Sequence, residues 1–158
     1  MIILIKKEFL SMSIRYAEAV WEGNLKEGIG KMQIGSGVYQ GNYSYASRFE
    51  ESPGSNPEEL IGAALAGCFS MALSGDLGKM GITPTRIETK AKVHLDRVEG
   101  KPTITKIELE TEAIIPDIDE ASFLRQAEIT KTGCPVSRAL TAVEITLNAK
   151  LLKGGVAV

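Results

Sequence analysis

At 158 residues, 44% hydrophobic and 24% charged, the chain has the length and composition of one globular domain with enough apolar side chains for a real core. A formal net charge of -2, with no basic run longer than Lys6-Lys7, argues against nucleic acid as a partner. Two cysteines and one histidine argue against a structural zinc or a multi-histidine metal centre.

The leader Met1-Ile2-Ile3-Leu4-Ile5 precedes its lysines, the reverse of a secretory signal, and its apolar stretch is short. The expectation is therefore a cytoplasmic protein, in which thiols stay reduced and a cysteine pair is redox-active and not a permanent staple. Met12 is a possible alternative start, so residues 1–12 read as an extension, 13–152 as the domain and 153–158 as a loose tail.

In chain order, β-branched and aromatic residues predict a first strand over Ile14 to Trp21, closed by the turn Glu22-Gly23-Asn24. A second strand, Gly28 to Ile34, is weakened by its glycines and ends at Gly35-Ser36-Gly37. The alternation of Tyr43, Tyr45 and Phe49 with Ser44, Ala46, Arg48 and Glu50 predicts a third strand from Tyr43 to Glu50, completing a meander.

A helix follows. Asn56 suits the N-cap, Pro57 the first helical position and Glu59 the third, while Gly81 supplies a stop. From Leu60 to Gly75 no residue is charged, and apolar side chains go round the whole helix, which predicts burial on all sides. These 16 positions are fewer than the roughly 20 of a membrane span, and three glycines and two serines dilute them, so the burial is expected in protein and no membrane partner is expected. In the middle sits Cys68. The residues alone leave two readings of it: a small buried hydrophobe with an inert thiol, or a nucleophile held as thiolate by a cation from elsewhere in the fold.

Thr85 to Val98 alternates Ile87, Thr89, Ala91, Val93 and Leu95 against charged partners and reads as a strand with one wet face, His94 among the solvated residues. The turn Glu99-Gly100-Lys101-Pro102 leads into a partner strand, Thr103 to Ile115. Asp119 caps a second helix reaching about Thr132, with Phe123, Leu124, Ala127 and Ile129 as its apolar side. Gly133 ends it, Cys134-Pro135 opens a short helix through Leu140, and Val143 to Leu152 is a last strand. The order βββ-α-ββ-αα-β is α+β.

Three stretches taken together, Ser47-Arg48-Phe49-Glu50, Asn56-Pro57-Glu58-Glu59-Leu60 running on to Cys68-Phe69-Ser70-Met71, and Gly133-Cys134-Pro135-Val136-Ser137, resemble the OsmC/Ohr family of thiol peroxidases, and its OsmC branch in particular. The resemblance implies Cys68 as peroxidatic cysteine and Cys134 as resolving cysteine. It further implies Arg48 as the cation that activates the thiolate and Glu58 as the carboxylate that orients Arg48. The implied activity is reduction of organic hydroperoxides, lipid-derived ones included and hydrogen peroxide less well, with a dithiol of the lipoyl type as reductant and no cofactor or metal. The implied fold is an intertwined homodimer whose central helices lie between sheets shared by both chains.

The residues themselves agree with those roles. Arg48 is a permanently charged fork able to offset the desolvation of a buried thiol, although it also reads as a surface charge. Glu58 is also favoured by the dipole at its helix start. Cys134, just before Pro135 at a helix start, lies where N–H groups favour a thiolate. Two other readings of the same residues are a binder of a hydrophobic small molecule with incidental cysteines, and a dimer stapled by them.

Overall fold

The computed structural model describes residues 13–152, so the extension expected over 1–12 and the tail expected over 153–158 lie outside the described residues. The chain divides into two compact units, one ending at Ser55 and the other beginning at Asn56.

The first unit is the expected antiparallel meander of β1 (Ala17–Glu22), β2 (Ile29–Ile34) and β3 (Gln40–Ser44). Trp21, Gly30 and Tyr43 stand side by side across it. A Cβ on Gly30 would come within 2.3 Å of the Tyr43 ring and 2.8 Å of the Trp21 ring, so only glycine lets these rings meet, 5.3 Å between centroids.

The third strand stops earlier than its alternation predicts. After Ser44 the chain turns into a short helix, α1 (Tyr45–Phe49). Ser44 and Ser47 make a reciprocal cap: the Ser47 N–H donates to Ser44 Oγ at 3.1 Å and the Ser44 N–H to Ser47 Oγ at 2.9 Å. Tyr45 and Phe49, two strand-face residues on the alternation reading, are instead one helical turn apart with ring centroids at 5.0 Å.

The second unit holds α2 (Pro57–Lys79), β4 (Arg86–Val98), β5 (Lys101–Ile114), α3 (Glu120–Gly133), α4 (Pro135–Ala139) and β6 (Glu144–Leu152). The start of α2 is the expected one, with the Glu59 N–H donating to Asn56 Oδ1 at 2.8 Å. At its end Gly81 adopts φ 76°, and the N–H groups of Gly81 and Ile82 donate to the carbonyls of Gly78 and Leu77, which closes the last turn. β4 and β5 join through Glu99-Gly100, both left-handed at φ 50° and 79°, the two-residue turn whose twist suits a hairpin. β6 then lies parallel to β5, so the sheet order is β4-β5-β6, with α3 and α4 making the crossover.

On the inner face of this sheet Ile107, Leu109, Thr111 and Ala113 of β5 are buried with Leu65, Phe69, Leu73 and Leu77 of α2 and Phe123 and Ala127 of α3. Each large apolar side chain contributes about 1.5–3 kcal/mol there. The hydroxyls within this layer are satisfied: Ser70 donates to Thr89 at 2.8 Å, and Thr89 and Thr111 bond at 3.0 Å. On the outer face, ion pairs such as Lys106 with Glu108 (2.6 Å) line the strands, and His94, expected among solvated residues, sits 3.2 Å from Glu108.

Two expectations about helix faces need correcting. α3 buries Phe123, Ala127 and Thr130, whereas Leu124 (39% exposed) and Ile129 (62% exposed) point away, because the i, i+4, i+7 row that meets α2 includes a threonine. α2 is not buried on all sides of one chain. Glu58, Gly62, Leu65, Phe69, Leu73 and Leu77 are covered, and Gly62 lets β4 approach to 3.1 Å of where its Cβ would be, but Ala64, Gly67, Met71 and Gly75 are exposed, Met71 by 82%. One sheet and two helices cover one side of a rod, and on the other side a Cβ at Gly67 or Gly75 would meet nothing within 4 Å among the described residues. The helix also runs 23 residues, long and apolar enough by length and composition to cross a membrane, contrary to the count of uncharged positions; its row of buried leucines is nevertheless committed to protein.

Asp76 ties α2 to α3. It accepts from Lys79 Nζ at 2.7 Å and from the buried Thr130 hydroxyl at 2.9 Å, and these bonds, that of Lys79 first, hold its carboxyl below the usual carboxylate range. A lowered native pKa is stability present above the unfolded value near pH 4 and lost as pH falls through the native value. Asp76→Asn is therefore expected to cost about 1 kcal/mol at neutral pH, with the difference from wild type vanishing in strong acid, read by urea unfolding at several pH values.

Candidate active site

Cys68 lies midway along α2 on the flank between the buried row and the exposed one. It is half-buried, and with Ile61 and Ala72 it packs against the edge of the core. Cys134 sits at the corner between α3 and α4. Its N–H donates to Thr130 O at 3.0 Å and closes α3, while Pro135 forces its backbone out of the helical region, to φ -67° and ψ 144°, and opens α4. The same residue is thus C-cap of one helix and N-cap of the next. Its side chain is 1% exposed, and Sγ accepts from the Ser137 N–H at 3.4 Å and bonds the Ser137 hydroxyl at 3.0 Å.

The fold brings the two cysteines together. Both are free thiols, close enough across the α2–α4 packing for each to affect the other's proton. Burial pushes the Cys68 thiol up; a hydrogen bond from the Val136 N–H pulls against it, and the contact with Cys134 adds to the rise. Within its own unit, burial therefore favours the protonated form of Cys68.

Glu58, the second residue of α2, is 8% exposed and belongs to the same unit. Ten residues of helix put it about 15 Å from Cys68 along the axis, so the two are not brought together on one chain. Arg48 belongs to the first unit, in α1, with its guanidinium 5.1 Å from the Phe49 ring. Beside it a cavity of about 240 Å³ is lined by Trp21, Leu25, Tyr43, Tyr45 and Phe49. Among the described residues no group of three or more His, Cys, Asp or Glu side chains converges as metal ligands.

Two contributors escape the sequence reading, the Val136 N–H on Cys68 and Ser137 on Cys134. Ser137 had a signal. Cys134-Pro135-Val136-Ser137 has the N-cap and third-position spacing of a capping box, with a thiol and a hydroxyl in place of the usual hydroxyl and carboxylate. Because Cys134 raises the Cys68 thiol, Cys134→Ala is expected to make Cys68 more acidic, seen as thiolate absorbance emerging at lower pH in an ultraviolet titration.

Known proteins are similar to this chain in sequence and fold. The family profile described as OsmC-like protein matches residues 49–148, a stretch that contains Glu58, Cys68 and Cys134 and begins just after Arg48. The protein named Peroxiredoxin OsmC of Escherichia coli (strain K12) is 51% identical over 135 residues, which is 85% of this chain and 94% of that protein. Among solved structures, an OsmC-like protein from Mycoplasma pneumoniae superposes with a TM-score of 0.69 at 17% identity, covering 89% of this chain and 98% of that one. An organic hydroperoxide resistance protein OsmC from Legionella pneumophila does so with a TM-score of 0.67 at 19% identity, over 88% and 99%. The α+β architecture is the one these structures share, and by profile and identity together the chain belongs to the OsmC family.

Proposed function

We propose that this chain is a thiol peroxidase that reduces organic hydroperoxides, lipid-derived ones included and hydrogen peroxide less well, to alcohols in oxidative or osmotic stress defence in the cytoplasm. The observation that carries the reading is the placement of two free thiols side by side, Cys68 on α2 and Cys134 at the α3–α4 corner. Its family membership and its identity to a protein named a peroxiredoxin support the same reading.

In the cycle, the Cys68 thiolate attacks the distal peroxide oxygen. The O–O bond breaks, the alkoxide takes a proton and leaves as alcohol, and Cys68 is left as sulfenic acid. Cys134 sulfur then attacks Cys68 sulfur; the S–O bond breaks, water departs and a disulfide remains. A dithiol, of the lipoyl type by family resemblance, reduces it by exchange.

The first step needs a thiolate, and burial opposes one. Arg48 is the proposed source of the opposing charge and of the fork that polarises the peroxide, with Glu58 orienting it. Since Glu58 lies about 15 Å along α2 from Cys68, such a set is most simply assembled from two copies of the chain. The exposed row on α2, Ala64, Gly67, Met71 and Gly75, is the surface proposed for a homodimer, because its alanine and glycines let a second backbone approach closely and Met71 offers it an apolar contact.

Cys68→Ser is expected to abolish alcohol production from an organic hydroperoxide, and Cys134→Ser to allow one turnover before over-oxidation of Cys68, both followed by mass spectrometry of the protein. Arg48→Ala is expected to slow the first step by at least tenfold at neutral pH, with Arg48→Lys recovering only part. Multiple turnover by Cys68→Ser would overturn the assignment. For the assembly, light scattering is expected to give twice the chain mass for wild type and a smaller species for Met71→Lys; a monomeric wild type would refute the shared site.

A further inference from the structure

Ser137 has no part in the cycle as described, yet it is the residue that holds the second sulfur. Only 5% exposed, it lies where water cannot readily stand in for its hydroxyl. Both of its polar hydrogens are within reach of Cys134: the backbone N–H points at Sγ from 3.4 Å, and Oγ lies 3.0 Å from the same atom. One residue earlier, the Val136 backbone works against the rise of the Cys68 thiol. One turn of chain, Pro135 to Ser137, therefore serves both sulfurs, Val136 the attacking one and Ser137 the resolving one.

We propose that Ser137 is a positioning residue for resolution, its hydroxyl holding the Cys134 sulfur toward Cys68 and stabilising the thiolate character that the sulfur gains as its proton leaves for the attack. The inference rests on the peroxidase reading above. With the thiol protonated, the Ser137 oxygen can accept from S–H. As the Cys134 sulfur attacks and the Cys68 S–O bond breaks, the thiol proton passes to the departing oxygen, which leaves as water. The Ser137 hydroxyl turns its own hydrogen to the sulfur during this step and is itself unchanged. Hydrogen bonds to an anionic sulfur are stronger than those to a neutral thiol, so the contact favours the second chemical step over the resting state. The first step, on Cys68, does not pass through Ser137.

The test uses the full reduced chain, one equivalent of cumene hydroperoxide and rapid quenching with a thiol-blocking reagent. Mass spectrometry then counts sulfenic acid, disulfide and sulfinic acid at each time. Ser137→Ala is expected to leave the rate of thiol loss at Cys68 unchanged, to slow disulfide formation about tenfold and to raise the over-oxidised fraction under excess peroxide. Ser137→Thr, which keeps the hydroxyl, is expected to restore disulfide formation, and Ser137→Val, nearly identical in shape to threonine, is not. The threonine and valine pair decides the question if the alanine variant does not fold. Equal disulfide rates in the threonine and valine variants, or slowing of both steps alike, would overturn the role of Ser137 and leave the peroxidase reading standing. A wild-type chain that forms no Cys68–Cys134 disulfide would overturn both.

Discussion

The packing of one face of α2 on the sheet is the constraint on which the rest of the second unit depends. Leu65, Phe69, Leu73 and Leu77 recur at four-residue spacing and are fully buried against the inner face of β5 and the α3 row of Phe123 and Ala127. That contact sets the rotation of α2 about its own axis, and the rotation places Cys68 on the flank beside α4 instead of in the core or on the exposed side. A different rotation would have separated the thiols. Gly62 contributes to the same seating, since a side chain there would press on Val93 of β4.

The seating creates an electrostatic conflict. A half-buried sulfur loses water and holds its proton more tightly, whereas peroxide chemistry requires the proton gone. Inside the second unit the opposing force is a backbone N–H, a weak counterweight compared with a full positive charge. The counterweight proposed for it is Arg48, a permanently charged guanidinium.

Cys134 shows a different way to place a thiol. Its position comes from backbone geometry, since a residue before proline is driven out of the helical region and a helix must end there. The chain reuses that break as the start of α4, and the side chain of the break residue becomes the cap. A cap must be in contact with the first turn it serves, so Ser137 and Cys134 are held together by the same geometry. The adjacent Asp76–Thr130 bond fastens α2 to the end of α3 and steadies the corner from the other side.

What could be read from the residues alone is what local hydrogen bonds decide. The Asn56 cap, the Gly81 stop, the Asp119 cap, the Cys134-Pro135 corner and the wet and dry alternation of the long hairpin all involve partners within a few residues, so each leaves its mark in sequence. The motifs around Cys68 and Cys134 were legible for the same reason, and they led to the family. Locality also explains the misreading at Tyr43 to Glu50: Tyr45 and Phe49 satisfy both a period of two and a period near four, and a serine pair at 44 and 47 tipped the balance to helix. Only the tertiary structure decided that β6 runs parallel to β5, that Thr130 instead of Leu124 or Ile129 faces α2, and that the thiols lie side by side. It alone decided that one face of α2 is exposed among the described residues. Each of these depends on surfaces contributed by segments far apart in sequence, and periodicity records which residues share a face without recording what that face meets.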